Sequence, residues 1–326
     1  MRHLHVRRQE AQRLFTGRCC WIQTCLALAI SCFLGLLPAT ALETEQTSFR
    51  QAVSGYQFQF PDDHGSHDKF RTEWWYYTGH LTAEDGRQFG YELTFFRQGM
   101  DDSRVNTHPS RWAIRHLYLA HAALSEHARH RFRYAEKISR AGIGKAGSEM
   151  GRLHVWIDRW NAEVVPVADH QEHHLHAAAS DFSFDLFLAP DKVPVVHGKD
   201  GVSRKGTEPG EASHYYSMTR LRTTGTLTVD GHAQTVHGLS WMDHEFGSGH
   251  LGKDQVGWDW FSVQLDDRSE FMFYLLRRAD GSADPVSSGT WVFPDGTSQT
   301  LSLSDIHIDV LDHWTSPVSG TRYPSG

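Results

Sequence analysis

The run Glu73-Trp74-Trp75-Tyr76-Tyr77-Thr78-Gly79-His80-Leu81, a turn at Asp85-Gly86 and then Tyr91-Glu92-Leu93-Thr94-Phe95-Phe96-Arg97 decides the fold. Two aromatic-rich runs joined by an Asp-Gly turn make a β-hairpin. The pattern returns as Trp258-Asp259-Trp260-Phe261, Leu265, a turn at Asp266-Asp267, and Phe271-Met272-Phe273-Tyr274-Leu275-Leu276-Arg277. At one constant offset Trp74, Tyr76, Tyr77 and Leu81 match Trp258, Trp260, Phe261 and Leu265. With a shorter turn in the second copy, Tyr91, Leu93 and Arg97 match Phe271, Phe273 and Arg277. Two copies of one aromatic hairpin point to a duplicated β-domain.

The rest of the chain agrees. Short apolar segments of period two begin at Tyr56 and are broken by Asp200-Gly201, Asp230-Gly231, Asp280-Gly281 and Asp295-Gly296. The best helical candidates, Ile114 to Ala128 and Ala135 to Ile143, lack convincing caps. The expected class is all-β, as two tandem antiparallel units: residues 56–237, then 238–326. The second copy begins near Leu239 and stops at Arg322-Tyr323-Pro324-Ser325-Gly326, which reads as mid-domain, so its closing strands are expected to be missing.

Composition narrows the function. The chain has 326 residues, a net charge of −7, and 11 Trp, 10 Tyr and 18 Phe. The acidic balance argues against a nucleic-acid partner. Aromatic residues on this scale suit strands and the walls of apolar pockets. All four cysteines (Cys19, Cys20, Cys25 and Cys32) fall in a basic, then apolar N-terminus that ends in Pro38-Ala39-Thr40-Ala41. Residues 1–41 read as a secretory leader cut after Ala41, placing the mature protein in the periplasm or outside the cell. The uncharged stretch Cys19 to Leu42 is also long enough for an uncleaved anchor, the one expected membrane contact. The mature chain then holds no cysteine and must fold on its core alone. Residues 42–55 read as a flexible start.

Asp62-Asp63-His64-Gly65-Ser66-His67, the Glu73–Leu81 strand, Val196-His197-Gly198, Tyr215-Tyr216-Ser217, Gly238-Leu239-Ser240-Trp241-Met242-Asp243-His244-Glu245-Phe246-Gly247-Ser248 and Gly257-Trp258-Asp259-Trp260-Phe261 together carry a resemblance. From about Tyr56 onward the sequence resembles the AttH / carotenoid 1,2-hydratase (hydroxyneurosporene synthase) family of lipocalin-like proteins. The resemblance implies two tandem lipocalin-like β-barrels, the second truncated at its C-terminus. It implies either binding of an apolar small molecule, an isoprenoid or lipid, in a barrel or interbarrel cleft, or hydratase chemistry on an isoprenoid double bond. Association with an ABC transporter is a further implication, since exported members sit beside transporter genes.

Alternation along the strand at Trp258 puts Asp259 on one face with Phe261, Val263 and Leu265. A carboxyl group among apolar neighbours has a raised pKa and suits a general acid; it could equally bond to backbone at a strand end. Asp243, His244 and Glu245 are the other acid/base candidates, with Asp243 and Glu245 pointing one way and His244 the other. They could also serve as a polar joint between the barrels. Trp75, Tyr77, Trp241, Trp258, Trp260 and Tyr216 are candidate ligand walls, with His64, His67 and His197 either lining a mouth or tying loops down. The run His170, His173, His174 and His176 reads as a solvated strand start, and no cofactor or metal ligand set is recognisable. A G-x-S-x-G elbow and a Walker motif are lacking, which leaves nucleophilic and phosphate chemistry unsupported.

Overall fold

The computed structural model describes residues 49–100, 110, 113–168, 170–317 and 320–325; the expected leader lies outside them. Thirteen strands form one antiparallel sheet: β1 (Thr72–Ala83), β2 (Gln88–Gly99), β3 (His116–Glu126), β4 (Arg131–Arg140), β5 (Ala146–Ser148), β6 (His154–Ile157), β7 (Trp160–Val167), β8 (His170–Ala178), β9 (Phe182–Pro190), β10 (Val195–Val196), β11 (Ser203–Arg204), β12 (Ala212–Val229) and β13 (His232–Gly247). The order β4-β3-β2-β1-β13-β12-β9-β8-β7-β6-β5 curls into a nearly closed barrel that brings β3 and β4 against β6. A second, open sheet runs β14 (Gln255–Gln264), β15 (Glu270–Arg278), β16 (Ser288–Val292) and β17 (Ser298–Ser302), followed by a hairpin of β18 (Asp312–Thr315) and β19 (Arg322–Ser325).

Local chemistry explains the turns. Asp200 and Gly201, and again Asp230 and Gly231, all take positive φ, as a tight two-residue hairpin turn requires. The two aromatic hairpins share one register. Glu73 opposes Arg97 and Gly79 opposes Tyr91 in the first; Gly257 opposes Arg277 and Val263 opposes Phe271 in the second.

Two expectations need correction, and the ambiguous segments resolve as strands. The two weak helical candidates, Ile114 to Ala128 and Ala135 to Ile143, hold β3 and most of β4, in keeping with the all-β class. In β3, Tyr118, Ala120, Ala122 and Leu124 are buried at period two in a core filled by Trp75, Tyr77, Trp160 and Phe184. Alanine's helix propensity yields to that packing. The boundary at 237/238 falls inside β13, which pairs with both β1 and β12, so the first sheet runs on to Gly247. Residues 49–55, part of the expected flexible start, are tied down: Ala52 packs in a cluster with Phe70 and Phe246, and Gly55 N–H donates to Asp200 O at 3.0 Å.

The outer face of β12 and β13 meets the second sheet through Tyr215, Trp241, Met272, Tyr274 and Leu276. A buried ion cluster clamps the junction: Glu270 accepts from Arg220 Nε at 2.5 Å and from Lys192 Nζ at 2.7 Å. Gln264 Nε2 adds donations to Thr219 O at 2.7 Å and Ser240 O at 3.0 Å.

Candidate functional site

Strand alternation gives the barrel wall two chemically distinct sides. On the outer side, β1 presents Trp74 and Tyr76, β12 presents Ser213, Tyr215 and Ser217, and β13 presents Trp241, Asp243 and Glu245. On the inner side stand Glu73, Trp75, Tyr77, Tyr216, Met242 and His244. The outer side and the second sheet enclose a cleft of about 490 Å³, lined by Trp74, Tyr76, Phe96, Leu119, Ile138, Tyr215, Trp258, Trp260, Tyr274 and Leu276 together with Glu92, Lys205, Asp243, Glu245 and Asp259. Tyr76 meets Trp260 edge-on at 5.4 Å between centroids, and Trp260 Nε1 donates to Tyr215 OH at 3.2 Å.

Asp243 is the central acid. Burial pushes its carboxyl up to about 7, against the lowering effect of donors from Ser217 Oγ and Trp241 Nε1, the latter at 2.7 Å. His197 stands behind it and bridges the two sheets, 2.6 Å from Ser217 Oγ and 2.8 Å from Thr290 Oγ1. Burial, with Lys205 nearby, drops the His197 pKa to about 3, so the ring is neutral and has one donor and one acceptor nitrogen. Because Ser217 donates to Asp243, it accepts from His197 Nε2–H, and Thr290 donates to Nδ1. Gly198 makes the turn beside His197 with φ +82°, and a Cβ there would lie 1.9 Å from Val202 O.

A second acid, Glu92, is raised to about 7 by burial and accepts from Thr94 Oγ1 at 2.9 Å. Glu92 and Asp243 both act electrostatically on Tyr76, so two carboxyl groups flank that ring. Glu245 is engaged by Ser213 Oγ and by Lys205 Nζ at 3.1 Å. Burial works against the Lys205 charge, but Glu245 and Tyr274 outweigh it and hold the ammonium above its usual range, 3.9 Å over the Tyr274 ring. The cleft is thus an aromatic, mostly apolar space with two acids protonatable near neutrality, Asp243 and Glu92, and the Lys205–Glu245 ion pair.

The candidates named from sequence separate. Asp243, Glu245, Trp258 and Trp260 line the cleft, and Trp241 and His197 support Asp243 from behind. Asp259 borders the cleft on the edge strand β14, but Arg277 Nε lies 3.5 Å from its carboxylate, so it is ion-paired and does not sit alone among apolar neighbours. His244 belongs to the other side of the wall. Its Nε2 is 2.8 Å from Glu73 Oε1, its Nδ1 is 3.0 Å from Tyr216 OH, and Trp75 stacks on its ring. An acid/base set uniting His244 with the three carboxylates is therefore corrected, because consecutive strand residues face opposite ways. Trp75, Tyr77 and Tyr216 are core residues of the barrel and do not line the cleft.

His64 and His67 tie the 61–67 segment over the barrel end. His64 Nδ1 is 2.6 Å from Tyr216 OH, and Trp75 Nε1 donates to His64 O at 3.0 Å. Burial opposes charge on His67, yet hydrogen bonds to Asp63 and Glu73 raise its pKa to about 9. His67, Glu73 and His244 converge closely enough to suggest metal ligands. However, Arg97 Nε donates to Glu73 Oε2 at 2.9 Å and His67 is held as a cation, so the cluster is already neutralised by its own positive groups.

Glu92, Lys205, Ser217, Trp74 and Tyr76 were not among the sequence candidates. Alternation from Trp74 would have found Tyr76; Lys205 sits in a Gly-containing loop that carries no local signal.

An AttH-like family model matches residues 51–326. Among solved structures, a protein assigned to AttH from Nitrosomonas europaea is 31% identical, with 85% of this chain and 82% of that chain covered and a TM-score of 0.75. Kievitone hydratase from Nectria haematococca shares the fold at 11% identity, with 86% and 80% covered and a TM-score of 0.62. No curated protein matches.

Proposed function

This chain belongs to the AttH-like family, and we propose that it binds an apolar small molecule, of isoprenoid or lipid type, in the cleft between the barrel wall and the second sheet. The observation that carries this reading is the cleft of about 490 Å³ walled by Trp74, Tyr76, Phe96, Leu119, Trp258 and Trp260. Its size and lining match those of small-molecule sites, with few polar groups to fix orientation. The barrel interior is instead filled by its own aromatic side chains. The basic, then apolar N-terminus supports a periplasmic or extracellular setting for this activity, with an ABC transporter as the proposed partner. Titration with farnesol, followed by tryptophan fluorescence, tests the reading. Saturable quenching that Trp260→Ala weakens at least tenfold supports it; quenching that Trp260→Ala leaves unchanged contradicts it.

Asp243 favours a second reading, acid-catalysed hydration of a carbon–carbon double bond. A carboxylic acid still protonated near neutrality can deliver its proton to an alkene carbon. The π electrons form the new C–H bond, and the resulting carbocation faces Trp260 and Tyr76, whose ring faces stabilise positive charge. Water attacks the cation and returns a proton to the Asp243 carboxylate, so the acid is regenerated and one water is added. Ser217, oriented by His197, keeps the second lobe of the carboxylate fixed during the exchange. The likeness to kievitone hydratase is one of fold and assigns no residue here.

A further inference from the structure

His174 and His176 stand on the outer wall of the barrel, outside both the cleft and the interior network. They lie two residues apart on β8 and so share a face. Strand β9 sets Asp185 directly opposite His176, and β7 sets Glu163 directly opposite His174. His174 Nε2 is 3.1 Å from Asp185 Oδ1, and His176 Nδ1 is 3.0 Å from Asp185 Oδ2. One carboxylate thus draws in a nitrogen from each of two imidazoles. The far nitrogen of His174, Nδ1, lies 3.7 Å from Glu163 Oε1, which itself accepts from Asn161 Nδ2 at 2.9 Å. Phe187 stacks on the His174 ring with centroids 4.7 Å apart and holds its plane. The three central side chains are 19%, 32% and 46% exposed, so an ion has direct access.

We propose that His174, His176 and Asp185 form a transition-metal site on the barrel wall, with Glu163 orienting His174 from behind. Two imidazoles and a carboxylate suit Zn²⁺, Ni²⁺ or Cu²⁺ and not the hard cations Mg²⁺ and Ca²⁺. Three protein ligands leave a fourth position for water. When His174 carries its proton on Nδ1, facing Glu163, the Nε2 lone pair is released toward the ion; at 3.7 Å the Glu163 charge favours that tautomer without a direct hydrogen bond. The two imidazoles face different oxygens of Asp185, so holding one cation requires the His176 ring to turn toward the His174 nitrogen. The interior cluster of His67, Glu73 and His244 lacks this capacity, because Arg97 and the protonated His67 already occupy Glu73.

The sequence alone shows only the two histidines; the carboxylates arrive from β7 and β9 through strand pairing.

The test is calorimetry of the full chain with Zn²⁺ alone at pH 7.5, repeated on His176→Gln and Asp185→Asn. The expected result is one equivalent bound by the parent chain, weakened about tenfold or more in each variant, with melting temperatures in the absence of zinc unchanged because the side chains are on the surface. Co²⁺ should give a visible d–d band in the parent chain that both variants lose. Failure to bind an equivalent, or an equivalent bound equally by the parent and both variants, overturns the site.

Discussion

Asp243 and His244 adjoin in the chain yet serve opposite sides of one sheet: Trp241 Nε1 donates to the Asp243 carboxylate at 2.7 Å in the cleft, while His244 Nε2 lies 2.8 Å from Glu73 Oε1 inside the barrel. One motif therefore supplies both the acid of the cleft and a strut of the core. Changes at the two positions should separate cleanly, in function for the first and in stability for the second.

For Asp243 the sign of the pH effect follows from its raised pKa. The folded state holds the proton up to about 7, whereas the unfolded chain releases it near 4. Its contribution to stability is complete below the unfolded pKa and is lost as pH rises from about 4 through about 7. Asp243→Asn should melt higher than the parent chain at pH 8, by about 2 kcal/mol of stability, with little difference at pH 4. The same variant should lose hydration activity. Parallel melting curves across that range would remove Asp243 as the acid.

The buried histidines have the reverse sign. Burial holds His64, His173 and His197 neutral, with pKa values of about 3, 4 and 3. The unfolded chain takes up these protons below about 6.5, so the stability they carry is present above that pH and drains away as it falls toward 4. His67, raised to about 9, acts the other way: its contribution is full below about 6.5 and is lost as pH climbs through 9. His197→Gln keeps a hydrogen-bonding amide that cannot titrate there. Its melting temperature should fall less between pH 6.5 and 4.5 than that of the parent chain, as read by circular dichroism.

Glu270 holds Arg220 and Lys192 together at the sheet junction. Glu270→Ala would leave two buried cations without their anion, at a cost of about 3–5 kcal/mol. Urea denaturation should show that loss, and farnesol affinity should fall with it, since the junction sets the cleft's shape. A variant as stable as the parent would mean that apolar contact and the Gln264 and His197 hydrogen bonds hold the sheets without the ion cluster.

Much of this was legible in the residues. The shared register of the two aromatic hairpins follows from the match of Trp74 with Trp258 and of Arg97 with Arg277, and period two alone predicts that His244 turns away from Asp243. Three features were hidden. Lys205 reaches Glu245 from a loop, Glu92 is a cleft acid only because β2 lies beside β1, and Asp259 meets Arg277 across a hairpin. Each depends on pairing between segments, which local pattern does not encode. The alanines of β3 left that segment ambiguous for a related reason, since their helical preference is small beside the packing of a barrel wall.

The central claim is that the ligand lies outside the barrel, against its wall. Photolabelling of the full chain with a diazirine-bearing farnesyl probe, followed by peptide mapping, addresses it directly. Labels are expected on Trp74, Tyr76, Trp258 or Trp260, and excess farnesol should remove them. Labels on Trp75, Tyr77 or Tyr216 would place the ligand inside the barrel and contradict it.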